Sequence, residues 1–185
     1  MITGIVILAC WVSVALYWKM SAPSVKPATE GQGFVDRLAR MPVWLGFVLF
    51  IVAGVFPVGM VLIRRTVASN SVAVAICILG VFLAVWSRKT LGAEWSQDVE
   101  LKQGHKLVRR GPYSLMRHPI YTAHLLLGLG TAIGSGRLVA FAGLVSFAVG
   151  FWIKLSQEER LLLRAFPHEY FAYKKRVRAL IPYVI

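Results

Sequence analysis

The chain has 185 residues, of which 57% are hydrophobic and 16% charged, with a formal net charge of +13. Soluble domains carry about 25% charged residues and disordered chains need low hydrophobicity, so composition excludes both. Two cysteines, Cys10 and Cys77, are too few for a disulfide scaffold and lie in apolar runs, where they read as small buried hydrophobes. The mean hydropathy of +0.66 places the chain in a bilayer.

Five apolar stretches approach the roughly 17–25 residues that a membrane crossing needs: Ile2–Tyr17, Val43–Ile63, Ser71–Trp86, Ile120–Ile133 and Leu138–Ile153. The second runs 21 residues without a charge and contains Pro57, which a membrane helix tolerates as a kink. The first lacks a basic leader segment and is expected to stay in the mature protein. The first, third and fourth are short and must borrow flanking residues or tilt.

Basic residues test this count. Lys19, Lys26, Arg37 and Arg40 separate spans one and two; Arg64 and Arg65 separate two and three. Between three and four lie Arg88, Lys89, Lys102, Lys106, Arg109, Arg110 and Arg117, and only Arg137 separates four from five. The tail adds Lys154, Arg160, Arg164, Lys174, Lys175, Arg176 and Arg178, so alternating sides gives 18 basic residues on one face and 3 on the other. The positive-inside rule then puts the N-terminus outside and the C-terminus in the cytoplasm. A pI near 10.4 also fits nucleic-acid binding, but here the charge follows topology and no nucleic-acid module is present. Attraction to anionic lipid accounts for it.

The chain divides into a three-span region, 1–86, and a region 87–185 that holds two long polar segments. These are the 33-residue stretch Ser87–Pro119 and the 32-residue tail from Lys154. Unstructured loops longer than about 12–15 residues are usually functional or disordered, and Trp95, Leu107, Val108, Tyr113 and Met116 make the first too apolar for disorder. The tail reads as a continuation of span five over Lys154–Ala165, a break at Pro167 and a second helix over His168–Ala179.

Chemistry concentrates in His105-Lys106-Leu107-Val108-Arg109-Arg110-Gly111-Pro112-Tyr113 and Arg117-His118-Pro119-Ile120-Tyr121. Gly111-Pro112 signals a turn, and Pro119 suits the first position of the span-four helix. That helix start, beside Arg117 and His118, suits a carboxylate or phosphate; alternatively the basic and aromatic residues merely mark the membrane interface. A second cluster, Lys154, Glu158 and Glu159, is either a site or a solvated i,i+4 pair. Gly128–Gly134 has the wrong spacing for a dinucleotide loop, and Gly130 and Gly134 fit close helix packing instead. The histidines His105, His118, His124 and His168 show no metal-type spacing, so no metal site is expected.

Taken together, Gly-Pro-Tyr at 111–113, Arg-His-Pro-x-Tyr at 117–121, Glu-Glu-x-x-Leu at 158–162, Phe-x-x-x-Tyr at 166–170 and Arg-x-Leu-Ile-Pro at 178–182 resemble the isoprenylcysteine carboxyl methyltransferase family and the related phospholipid methyltransferases. The resemblance covers about Trp95 to Pro182. It implies an all-α integral-membrane enzyme of five transmembrane helices, with a cytoplasmic pocket for S-adenosylmethionine formed by the loop before span four and the C-terminal helices. By the resemblance, His105, Lys106, Leu107, Val108, Tyr113, Arg117, His118, Pro119, Ile120, Tyr121 and Glu158 contact the cofactor, and Glu159 and Lys154 act at the acceptor. Lys154 stands where the eukaryotic prenylcysteine enzymes carry an arginine, and lysine lacks arginine's planar fork.

The implied reaction moves a methyl group to a lipophilic acceptor that enters from the bilayer. A carboxylate acceptor, with a free pKa near 3.5, needs no general base; an amine acceptor does, and Glu159 or His118 is then the candidate. The alternatives are a phospholipid or other lipid N-methyltransferase, an NADPH-dependent membrane sterol-type reductase, and a non-catalytic membrane scaffold.

Overall fold

The computed structural model describes residues 2–21, 28–31, 33–56, 58–94, 100–102 and 107–184. Its frame is five long helices: α1 (Ile2–Ser21), α2 (Gly33–Val55), α3 (Val67–Leu91), α4 (Pro119–Ser135) and α5 (Leu138–Ala165), followed by α6 (Pro167–Arg176). Two short strands, β1 (Ala28–Gly31) and β2 (Glu100–Lys102), pair antiparallel, an addition to the all-helical expectation. Of the five expected spans, three have the length and composition of a membrane crossing: Ile2–Ser21, Val67–Glu94 and Leu138–Ala165. The apolar part of α2, Arg40–Val55, is shorter, and α4 has 17 residues.

The second span departs from expectation. It ends at Val55 rather than continuing to Ile63. The position before a proline disfavours helical backbone, and the helix stops just before Pro57, which itself lies outside the described residues. The next backbone donors go elsewhere: Leu62 N–H and Ile63 N–H both donate to Gly136 O, at 2.8 and 3.1 Å, while Leu138 N–H donates to Met60 O at 2.9 Å. The segment before α3 is thus a strap over the α4–α5 turn. Gly136 turns there in the left-handed region, at φ 69°, and a Cβ on it would strike Ile63 O. α3 then starts on a capping box in which Ser69 N–H donates to Thr66 Oγ1 at 3.1 Å and Thr66 N–H to Ser69 Oγ at 2.9 Å.

Lipid tails are as apolar as leucine, so helix association in a membrane depends on close packing rather than on apolar burial. Small residues supply it here. A Cβ on Gly80 of α3 would lie 2.9 Å from Ala123 O of α4, and one on Gly130 would strike Cys77 Sγ and Ala73 O. Gly46 of α2 and Gly143 of α5 approach in the same way, with each Cβ about 3 Å from the other's carbonyl. These contacts, with Trp11 Nε1–H donating to Thr131 Oγ1 at 3.0 Å and Ser146 Oγ–H to Pro42 O at 2.8 Å, set the directions. α1, α3 and α5 run one way, α2 and α4 the other. Consequently the ends of α1, α3 and α5 gather with the starts of α2 and α4.

The expected small-residue role of Gly130 and Gly134 is seen directly. A separate aromatic core where α1, α2 and α5 meet is built on Phe147, which is fully buried and meets Phe47, Phe50, Phe151 and Trp11 edge-on.

Candidate active site

The loop before α4 begins with Gly111 at φ 60°, where a Cβ would sit 3.1 Å from Thr90 Oγ1 at the end of α3. The chain therefore makes a single 3₁₀ turn, Gly111–Ser114, with Pro112 and Tyr113 buried. Two residues later it pairs with the C-terminal tail. Arg117 N–H donates to Arg178 O at 2.8 Å, His118 N–H to Ala179 O at 2.9 Å, and Thr122 Oγ1–H to Leu180 O at 2.8 Å. Tyr173 O–H donates to Tyr113 O from α6. Pro119 takes the first helical position of α4, as expected, and His118 precedes it.

The apolar run of α5 ends at Ile153, and its polar extension brings two acids to the start of α4. Glu159, 6% exposed, is the centre of a buried ionic cluster. Arg117 Nε–H and Nη2–H donate to its Oε1 at 2.8 and 2.5 Å, and Lys174 Nζ–H donates to Oε2 at 2.6 Å. His118 Nε2 lies 3.4 Å from the same Oε1. Arg117 Nη1–H donates to Val177 O, which ties the cluster to the tail.

Glu158 is in a different environment. Its side chain is 38% exposed, with Oε2 accepting from Tyr121 O–H at 2.7 Å and 3.5 Å from His118 Nδ1. Behind it the His118 and Tyr121 rings stack at 5.4 Å and 6°, and Tyr121 stacks on Phe151 at 5.0 Å. The two acids share a helix turn but not a fate: one is buried and saturated with cations, the other keeps part of its surface exposed.

Burial works against a charged His118, but hydrogen bonds and attraction from Glu158 and Glu159 outweigh it and raise its pKa above 6.5. Burial likewise opposes the charge on Glu159, and His118, Lys174 and Arg117 more than reverse this, holding its carboxyl well below 4.5. Burial pushes the Tyr113 phenol up, and the nearby Glu158 charge adds to the effect.

The structure thus brings together Tyr113, Arg117, His118, Pro119, Ile120, Tyr121, Glu158 and Glu159, with Lys154 one turn before Glu158. Leu107 and Val108 line a cavity of about 640 Å³ with Arg109, Arg110 and the segment Lys89–Glu94 at the end of α3, and neither His118, Tyr121, Glu158 nor Glu159 is among its walls. His105 and Lys106 fall outside the described residues. One expectation changes. Arg117 was to stand ready for a ligand carboxylate at the start of α4, but Glu159 and a tail carbonyl already engage it. Tyr121 N–H and Thr122 N–H in that first turn donate to His118 O. The acids of α5 and the tail fill the place kept for an anion.

Lys174, Phe151 and the Val177–Leu180 backbone are further neighbours of the cluster; the second tail helix ends at Arg176 rather than Ala179, because the carbonyls of Val177–Leu180 accept from Arg117, His118 and Thr122. The Arg-x-Leu-Ile-Pro string was the available signal, since those residues clasp the loop. Among the described residues no group of three or more His, Cys, Asp or Glu is placed to hold a metal ion.

Comparison with known proteins places this arrangement. A model of the phospholipid methyltransferase family matches residues 68–169. The cobalt-zinc-cadmium resistance protein CzcN of Cupriavidus metallidurans is 38% identical over 107 residues, 56% of this chain and 46% of that protein. Protein-S-isoprenylcysteine O-methyltransferase B of Arabidopsis thaliana is 31% identical over 113 residues, covering 58% of this chain and 56% of its own. A solved structure of the eukaryotic intramembrane Ras methyltransferase, isoprenylcysteine carboxyl methyltransferase, superposes with a TM-score of 0.58 at 26% identity, over 80% of this chain and 52% of that one. The chain therefore spans about half the length of the relatives it matches. The family match takes in more than half of the chain, including the loop, α4 and both acids of α5: the chain belongs to the phospholipid methyltransferase family.

Proposed function

We propose that the chain is an integral-membrane methyltransferase that moves a methyl group from S-adenosylmethionine to the carboxylate of a lipophilic, prenylcysteine-like acceptor. The observation that carries this reading is the contrast between Glu158 and Glu159. A half-open carboxylate braced by Tyr121 and His118 suits a ligand's amine or hydroxyl groups. The cavity between the loop and the end of α3, about 640 Å³, is within the ~300–1,000 Å³ of small-molecule sites and gives Leu107 and Val108 a place beside a ligand.

In this reading Glu158 takes the amine or ribose of the donor, while Leu107, Val108 and Ile120 supply apolar walls and the fully buried Pro119 starts the helix behind them. His105 and Lys106 join the set by resemblance. Tyr121, stacked against His118 and Phe151, braces Glu158 through its hydroxyl, and the buried Tyr113 packs the loop beneath the site. When bound, S-adenosylmethionine supplies an electrophilic methyl on a sulfonium. Glu159, Arg117 and Lys174 position the site: they fix the start of α4 against α5 and α6, and so fix His118 and Glu158. Lys154 stands on the acceptor side and offers a cation to a carboxylate.

The acceptor class follows from the missing base. A carboxyl with a lowered pKa, as in Glu159, is a poor proton acceptor, and both ring nitrogens of His118 already face carboxylates, Glu158 at 3.5 Å and Glu159 at 3.4 Å. Such a site favours an acceptor that is already ionised, which leaves alignment and exclusion of water as the catalytic terms. The similarity to an isoprenylcysteine O-methyltransferase supports the same choice.

We further assign five crossings, with the N-terminus outside and the site cytoplasmic. The alternating helix directions and the division of 18 basic residues against 3 support this topology. At about 1.5 Å per residue, the 17 residues of α4 span roughly 25 Å, a few Å short of a ~30 Å hydrocarbon core, a mismatch that local thinning of the bilayer accommodates.

The test is calorimetry with S-adenosylhomocysteine on detergent-purified protein, together with a labelled-methyl assay on S-farnesylcysteine. Saturable binding that Glu158→Ala abolishes without lowering the melting temperature, and label released by base as from an ester, are the expected results. A folded protein that binds no donor would overturn the methyltransferase reading. Base-stable label on phosphatidylethanolamine would move the acceptor to nitrogen.

A further inference from the structure

The end of the molecule away from Glu158 carries a second concavity. It is a groove of about 660 Å³ between α1, α2 and the end of α4, walled by side chains including Ile7, Trp11, Phe50 and Ile51. At its mouth stand Arg65 and Arg137. Methyl transfer gives these arginines no role, and topology makes them unexpected. By the division of charge above they are two of the 3 basic residues on the face that the positive-inside rule keeps poor in them. None of the chain's 8 acidic residues lies in the segments 4–11, 47–65 or 131–137 that form the groove. A cationic pair has thus been gathered at an apolar slot with no carboxylate among its walls.

The geometry prepares Arg137 for a ligand. One nitrogen, Nη1, donates toward Gly59 O and Val58 O at 3.3 and 3.5 Å, which steadies the guanidinium at the strap. A guanidinium has five N–H donors in all, in a fork that matches a phosphate. The apolar walls run inward from this point to Trp11, whose indole is fixed by Thr131 at 3.0 Å. Leu8 and Ile51, 63% and 62% exposed, border the groove on its bilayer side. A free phosphate would use the arginines and leave the slot; a neutral apolar molecule would use the slot and leave the arginines.

We propose that this groove binds one anionic glycerophospholipid of the surrounding bilayer, with its phosphodiester on Arg65 and Arg137 and an acyl chain along Ile7, Trp11 and Phe50. The site lies at the opposite end of α4 from Glu158 and rests on the membrane reading of the fold, not on methyl transfer. Bound there, the lipid bridges α1, α2 and the α4–α5 turn, where direct helix contact is replaced by the slot.

The experiment is native mass spectrometry of the detergent-purified full chain titrated with phosphatidylglycerol or phosphatidylcholine. The wild type should retain one phosphatidylglycerol at about tenfold lower lipid concentration than phosphatidylcholine, and Arg65→Gln should reduce that preference roughly fivefold, the scale of one basic side chain. Gly54→Leu places a side chain in the groove from a position where a Cβ meets nothing within 4 Å, and should abolish the tightly held lipid with both arginines intact. Gly4→Leu does the same from α1 and serves if the first variant fails to fold. Arg64→Gln, outside the groove, should leave retention unchanged. Equal retention of the two lipids overturns the site. So does phosphatidylglycerol binding that survives the groove-filling variants, or that falls as far in Arg64→Gln as in Arg65→Gln.

Discussion

Arg117 and Glu159, 42 residues apart, meet with two guanidinium nitrogens on one carboxylate oxygen, at 2.8 and 2.5 Å, while Lys174 takes the other oxygen. Both side chains of the pair are less than a tenth exposed. Their closure joins the loop before α4 to α5, and through Val177 O to the tail. The cluster is thus the clasp of the site rather than its open mouth.

Removing one member of a buried pair leaves the other charged and uncompensated, which costs about 3–5 kcal/mol. Glu159→Gln is accordingly expected to lower the melting temperature in detergent markedly. Lys174→Met, which removes a side chain that is 44% exposed, should cost about 1 kcal/mol or less. Equal melting temperatures for the two variants would contradict the clasp.

The same cluster sets a pH profile. Glu159 has a lowered folded pKa, so its contribution is complete above 4.5 and lost as pH falls through the folded value. His118 has a raised one, so its contribution is complete below 6.5 and lost as pH climbs through the folded value. The melting temperature should peak between these two ordinary values and decline on both sides. His118→Asn should remove the alkaline decline specifically; an unaltered decline in that variant would assign it to other groups.

Tyr121 O–H holds Glu158 at 2.7 Å, and hydrogen bonds to charged groups contribute about 1.5–3 kcal/mol. Tyr121→Phe keeps the ring stack and removes the bond. Donor affinity should fall roughly 10–100-fold by calorimetry, with little change in melting temperature. Unchanged affinity would leave Tyr121 as a packing residue.

Helix packing offers a paired test. Gly80→Ala puts a Cβ 2.9 Å from the Ala123 carbonyl, against backbone that cannot move cheaply, whereas a Cβ on Gly4 meets nothing within 4 Å. The first should cost about 1–3 kcal/mol, and the second should be neutral or stabilising by up to about 1 kcal/mol. Thermal unfolding of the two variants in one detergent decides it.

Much of this was legible in one dimension because its causes are local. Apolar run length marked the helices, Pro119 fixed a helix start through its missing N–H group, Pro167 marked the break between α5 and α6, and Gly130 and Gly134 announced a close crossing. The second span was misjudged for the opposite reason. Val55–Ile63 is uniformly apolar, so composition continued the helix, but the donors of Leu62 and Ile63 are claimed by Gly136, distant in sequence.

The sequence alone determined that the chain belongs in a membrane and which segments gather its polar and ionisable residues, since hydropathy, proline and charge act within a turn or two. Only the tertiary structure decided how Glu158 and Glu159 divide their roles. They are neighbours with the same side chain, and what separates them is which of them meets Arg117 and Lys174 when α4, α5 and α6 close together. A carboxylate's function depends on what neutralises it, and those partners come from other elements of the fold.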